Sequence, residues 1–201
     1  MNNGPLVWTG AGVLAGVTLF VATVGILHFV QPAYEPSHQL MSELALGPFG
    51  WAMIIAFAGL ALAVFSVQMA IASAGASIWL RFVLAASTVC FLAAGVFPLG
   101  ATSEIHIAAI AVAFVLSVLA MYLFPSSAGR ASAIAPRSFS WSLAAGVAAS
   151  VALGHSLLPA GIGQRLAALC LIVWLAVLGW KFTNGQYAAQ QPAAADANAR
   201  G

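Results

Sequence analysis

Six apolar runs separated by short polar breaks set the plan of the chain: roughly 6–30, 49–72, 78–97, 105–124, 138–158 and 163–182. Each reaches the ~20 residues that an α-helix needs to cross the hydrocarbon of a bilayer. None shows the two-residue alternation of barrel strands, so helices are expected to satisfy the backbone. The pattern predicts an all-α, polytopic membrane protein, a six-transmembrane-helix bundle. The first run has no basic segment ahead of it and exceeds the apolar core of a secretory leader, so it reads as the first span. Residues 1–184 form one transmembrane domain in this reading. The remainder, 185–201, is an Ala/Gln/Pro tail expected to be solvated and disordered on the cytoplasmic side.

The breaks carry the polar chemistry. The first, Gln31 to Pro48, is the longest. Ser37 suits a helix N-cap, and Gly47-Pro48 suits a helix stop. Within 37–46, Leu40, Met41 and Leu44 share one face and His38 and Ser42 another. That spacing predicts a short interfacial helix with its apolar side on the membrane. Ser73 to Ser77 is a tight link into the third span. Thr102 or Ser103 is placed to cap the fourth. Phe124-Pro125 to Arg137 forms the second longest break, and Pro159 to Gly163 reads as a turn into Gln164-Arg165. Gly12 with Gly16, and Gly146, Ser150 and Gly154, stand at the spacing that lets helices approach closely in lipid. Packing within the bundle is the expected use, with a homo-oligomer contact as the alternative.

Composition agrees with the pattern. The chain is 63% hydrophobic and only 5% charged, too few charges to coat a water-soluble surface. A net charge of +2 excludes a nucleic-acid partner. Cys90 and Cys170 lie inside apolar runs and read as buried, inert thiols. Five tryptophans (Trp8, Trp51, Trp79, Trp141 and Trp180) stand near span ends, where indoles anchor at the interface; Trp174 is deeper and is expected to pack.

Six spans place the termini and the second and fourth loops on one side, with Arg81, Arg130, Arg137, Lys181 and Arg200. Only Arg165 falls opposite. This bias predicts a multi-pass protein of a bacterial cytoplasmic (inner) membrane with both termini in the cytoplasm. The same topology gathers all four histidines (His28, His38, His106 and His155) on the outer face, with Glu35, Glu43 and Glu104. Ionisable groups at membrane depth are costly and tend to face an interior or a wet cavity.

His38-x-x-x-Ser42-Glu43-Leu44-Ala45-x-Gly47, followed by Gly50-Trp51-x-Met53, resembles the bacterial membrane family known as domain of unknown function nine-nine-eight. Gly95-x-Phe97-Pro98 with His106, and Gly163-Gln164-Arg165-Leu166, extend the likeness over roughly 30–180 in the expected order. The chain departs from it at Leu99-Gly100, where that family often carries an acid. The resemblance implies six helices and a membrane address and implies no activity.

Two readings of the outward site follow. In the first, His38, Ser42, Glu43, His106, Gln164 and Arg165 form a polar pocket for a lipid headgroup, a small ligand or a partner membrane protein, with Glu43 and Arg165 as an ion pair or anion site. In the second, His38, His106 and His155 with Glu43 hold zinc, and the protein is a hydrolase working at the outer leaflet. That arrangement loosely resembles the ceramidase and adiponectin-receptor type of zinc hydrolase, without the late His-x-x-x-His pair of those enzymes. No catalytic set is complete and no cofactor is established, which favours the binding reading. Transport ranks lowest, because the span interiors carry almost no charge.

Overall fold

The computed structural model describes residues 4–100, 102–154 and 156–185. Its six long helices are α1 (Gly4–Val30), α2 (Met53–Ser73), α3 (Ile78–Val96), α4 (Ser103–Ser127), α5 (Arg137–Gly154) and α6 (Ala160–Thr183). No strand occurs among the described residues. Five of these helices, all but α5, are long and apolar enough to cross a membrane. The sixth is only 18 residues long, begins at Arg137 and carries four serines. It nevertheless covers the height of the bundle, about 27 Å at 1.5 Å per residue. Just before it, Ile134 O accepts from Lys181 Nζ at 2.7 Å, near the carboxyl end of α6. At its other end, Gly154 lies against Gly163 in the first turn of α6.

Neighbours in sequence pack as antiparallel pairs, and α6 closes the bundle against α1. Lipid replaces water around this fold, so burial between helices must come from close fit. Gly16 and Gly59 supply it between α1 and α2. A Cβ on Gly59 would stand 2.7 Å from Gly16 O, and one on Gly16 would stand 2.7 Å from Ala63 N. Gly154 and Gly163 do the same for α5 and α6, where a Cβ on Gly163 would come within 2.6 Å of Gly154 Cα. Gly12 faces Ser66 and Gly146 faces Cys170, so these glycines serve packing inside the bundle. Trp174 is buried and donates to Ser140 Oγ at 3.2 Å, while the five span-end tryptophans are exposed. Cys90 and Cys170 are free and half-buried, more open than expected.

Several local expectations need correction. The interfacial element is a 3₁₀ helix, Met41–Leu46, instead of a longer helix from Ser37. Ser37 does not cap it: its hydroxyl donates to Glu35 Oε1 at 2.6 Å. Glu43 takes the capping role by accepting from Leu40 N at 2.9 Å. Thr102 and Ser103 do not cap α4 either, because their hydroxyls bond back to Pro98 O and Gly100 O. Helix α4 runs through Pro125 to Ser127, and the following break holds a second 3₁₀ stretch, Gly129–Ile134. Helix α6 begins at Ala160, so Gly161 and Gly163 are helical packing positions and not turn residues.

The ends of the bundle differ in chemistry. His28, Glu35, His38, Glu43, Glu104, His106 and Arg165 gather at one end, with the 3₁₀ helix. Arg81, Arg130, Arg137 and Lys181 occupy the other. His155, Arg200 and the tail from 186 lie outside the described residues.

Candidate functional site

The polar end contains two distinct constructions. The first is a clasp built on Arg165, in the second turn of α6. Its Nη1 donates to Gln39 O at 3.0 Å and Gly161 O at 2.9 Å. Its Nη2 donates to Tyr34 Oη at 2.5 Å and to His28 Nε2 at 3.0 Å. His28 can accept because its Nδ1 faces Val24 O at 2.6 Å, which fixes the proton on Nδ1. The Tyr34 hydroxyl in turn donates to Leu40 O at 2.8 Å and, more weakly, to Gln39 O at 3.2 Å. Burial pushes the Tyr34 pKa above the ordinary 10.0, more than the hydrogen bond and charge of Arg165 pull it down. The phenol therefore stays protonated, as this chain of donors requires.

No carboxylate among the described residues completes the clasp. Glu43 spends one oxygen on Leu40 N and the other on Gln39 Nε2 at 3.2 Å. The expected Glu43–Arg165 ion pair is thus replaced by a guanidinium among neutral acceptors, beside the negative carboxyl end of α1. The loop also seats the amino end of α6: a Cβ on Gly161 would meet Pro36 O and Gln39 O at 2.5 Å. Gln31 is buried and donates to Leu44 O at 3.0 Å, and Gln164 Oε1 accepts from Met41 N at 2.6 Å. Loop, α1 and α6 form one fastened unit.

The second construction is a cleft of about 460 Å³ with α4 as one wall and α5, α6 and the 3₁₀ helix as the other. Its length is apolar: Ile107, Ile110, Phe114, Val115 and Val118 from α4 face Val147, Val151 and Ala167. Partly exposed Ile107, Val115 and Val151 mark its open side. Polar lining is confined to one region, where Ser42, His106, Ser150 and Gln164 stand. A volume of this size lies in the range of small-molecule sites, which are mostly apolar with a few placed polar groups.

Each of these four has unused bonding capacity among the described residues. His106 is buried, and its Nδ1 donates to Ala94 O at 2.8 Å and Phe97 O at 3.0 Å, tying α4 to the end of α3. Its Nε2 is buried with no partner, a state that costs about 1–3 kcal/mol. The hydroxyls of Ser42 and Ser150 accept and donate nothing, although both residues are more than nine-tenths buried. Gln164 is fixed through its oxygen, which leaves both Nε2 hydrogens free.

The structure thus brings Ser42, His106 and Gln164 to one cleft and places Arg165 in the neighbouring clasp, with Glu43 beside it as a cap on Leu40 N. His38 belongs to neither; it is exposed and shares a 2.9 Å bond with Ser37 Oγ. Glu35 is exposed, and its carboxyl is held below the ordinary 4.5 chiefly by the hydrogen bond from the Ser37 hydroxyl. No group of three His, Cys, Asp or Glu side chains fit to hold a metal occurs among the described residues, and His155 lies outside them. Sequence reasoning missed Tyr34, Gln31 and Gln39 in the clasp. One signal was available: an arginine at membrane depth requires partners, and Tyr34 sits between Pro32 and Pro36 in the loop nearest to it. Ser150 was read only as a small packing residue.

Residues 14–181 match a family model described as Protein of unknown function (DUF998). No curated protein and no solved structure matches the chain.

Proposed function

The chain belongs to the DUF998 family, and from that footing we propose that it is a multi-pass membrane protein that binds one amphiphilic molecule in the cleft beside α4. The observation that carries this reading is the distribution of the cleft's lining: apolar along its length, with unspent hydrogen-bonding groups collected at one end. A lipid-like molecule has the same division. Its chain would lie along Ile107 to Val118, and its polar part would meet Ser42, Ser150 and Gln164. The clasp supports the site by fixing Gln164 and the 3₁₀ helix on which Ser42 stands. It does not itself offer a free anion site, because four bonds already occupy the guanidinium.

Phenylalanines in place of Ala111 and Ala148, two small residues of opposite walls, would fill the cleft. The double variant is expected to fold and to lose lipid that the wild-type protein retains through purification, as measured by native mass spectrometry from detergent. Unchanged lipid retention in a folded double variant would overturn the cleft reading.

We further propose that the membrane is the cytoplasmic membrane of a bacterium and that the polar end faces out. Arg81, Arg130, Arg137 and Lys181 at the opposite end support this orientation through the excess of basic residues on cytoplasmic sides. In a cysteine-free background, a thiol at position 38 is expected to react with an impermeant maleimide on intact spheroplasts. A thiol at Ser126 is expected to react only after lysis. Labelling of both from the same compartment would remove the orientation.

A further inference from the structure

We propose that the cleft selects an uncharged lipid carrying carbonyl oxygens directly above its acyl chain, as in an acylglycerol, over lipids with a phosphate or ammonium at that depth. This rests on the cleft reading above and adds the chemical class of the ligand. Gln164 is the deciding residue. Met41 N holds its side-chain oxygen at 2.6 Å, so the carboxamide cannot turn over without breaking that bond. Both Nε2 hydrogens are consequently presented as fixed donors, and a carbonyl oxygen is the partner they match. Ser42 and Ser150, each more than nine-tenths buried and without a partner among the described residues, add hydroxyls that serve an ester or a glycerol oxygen.

Among the described residues no formally charged side chain lines the cleft, and its walls are apolar. A phosphate brought to this depth would lose its hydration with no cation among the described lining residues to replace it. Arg165, the nearest cation in sequence, has its guanidinium turned to His28, Tyr34, Gln39 and Gly161. A neutral carbonyl carries a smaller desolvation penalty and recovers it from the Gln164 donors.

The test compares dioctanoylglycerol with dioctanoyl phosphatidic acid, which differ by one phosphate on the same chains. Binding to purified protein is measured by native mass spectrometry titration for the wild type and for Gln164→Glu. The substituted carboxylate keeps an oxygen for Met41 N but replaces the two donors by a second acceptor. Wild-type protein is expected to bind the neutral lipid about tenfold more tightly than the phosphatidic acid, and Gln164→Glu is expected to lose about tenfold for the neutral lipid. Equal binding of the two lipids, or an unchanged neutral-lipid affinity in a folded Gln164→Glu, overturns the selectivity. If those results come with binding that the Ala111/Ala148 phenylalanine variant abolishes, the cleft reading survives and only the ligand class falls. If neither lipid binds and cross-linking finds a second copy of the chain seated between α4 and α5, both fall.

Discussion

Substituting methionine for Arg165 is expected to unfasten the loop between α1 and α2 and to lower stability by about 3 kcal/mol, the worth of one to two hydrogen bonds to a charged donor. The size follows from what the side chain joins. Four acceptors, two from the loop, one from α1 and one from α6's own first turn, converge on one fork. Removing it strands His28 Nε2 and leaves the Gln39 carbonyl only the longer 3.2 Å bond from Tyr34 Oη, and hydrogen bonds to a charged donor are worth about 1.5–3 kcal/mol each before their mutual dependence is counted. Lysine at this position supplies charge without the fork and is expected to recover less than half of the loss. Glu43→Gln is the informative contrast. If an ion pair held this end together, it would be as harmful as Arg165→Met. The observed bonds make Glu43 a local cap, so an effect of about 1 kcal/mol is expected. Thermal unfolding in detergent, read as the fraction surviving on size exclusion, together with proteolysis of residues 31–50, measures both. An Arg165→Met protein as stable and as protease-resistant as wild type would overturn the clasp.

Leucine at Gly163 is expected to have an effect of similar size, about 3 kcal/mol of destabilisation, at the upper end of the overpacking range. The obstacle is backbone and not a side chain that can swing away. A Cβ there meets Gly154 Cα at 2.6 Å and Ser150 O at 2.7 Å. Even alanine forces α5 from α6, so Gly163→Ala should already be harmful. Gly25 provides the opposite sign, because a Cβ there meets nothing within 4 Å. Gly25→Ala should be neutral or should stabilise by about 0.5–1 kcal/mol. The same unfolding measurement decides. Equal tolerance at both glycines would refute the close-approach account of the α5–α6 contact.

These two sites also show what the sequence could reveal. Runs of ~20 apolar residues fix a helix count, because lipid leaves the backbone few alternatives. Loop parity then puts His28, Glu43, His106 and Arg165 at one end, where the structure has them. Parity says nothing about which groups meet. The pairing of Glu43 with Arg165 followed from opposite charge, but the chain satisfies the guanidinium with carbonyls, a phenol and an imidazole, and uses the carboxylate as a cap. Such choices depend on the path of the loop, which Pro32 and Pro36 bend in a way that periodicity does not encode. Ser37 failed as a cap for the same reason: the 3₁₀ helix starts later, at Met41. The cleft was invisible for a different cause. It is the space left where α4 stands off α6, and apolar residues facing a void read the same as apolar residues facing lipid.

The clasp joins residues that the ribosome delivers far apart in time. His28 and Arg165 are separated by 137 positions, and Met41 and Gln164 by 123. At ~5–20 residues per second, α1 and its loop wait roughly 7–30 seconds in the bilayer before their partner on α6 is made. During that interval the Gln39 and Leu44 segment can be steadied from within the early chain by Gln31 and Tyr34, but not from the far side. Closure of the ring of helices is therefore a late event, and a nascent chain stalled before Ala160 exposes an unfinished edge to whatever membrane machinery surveys newly made proteins.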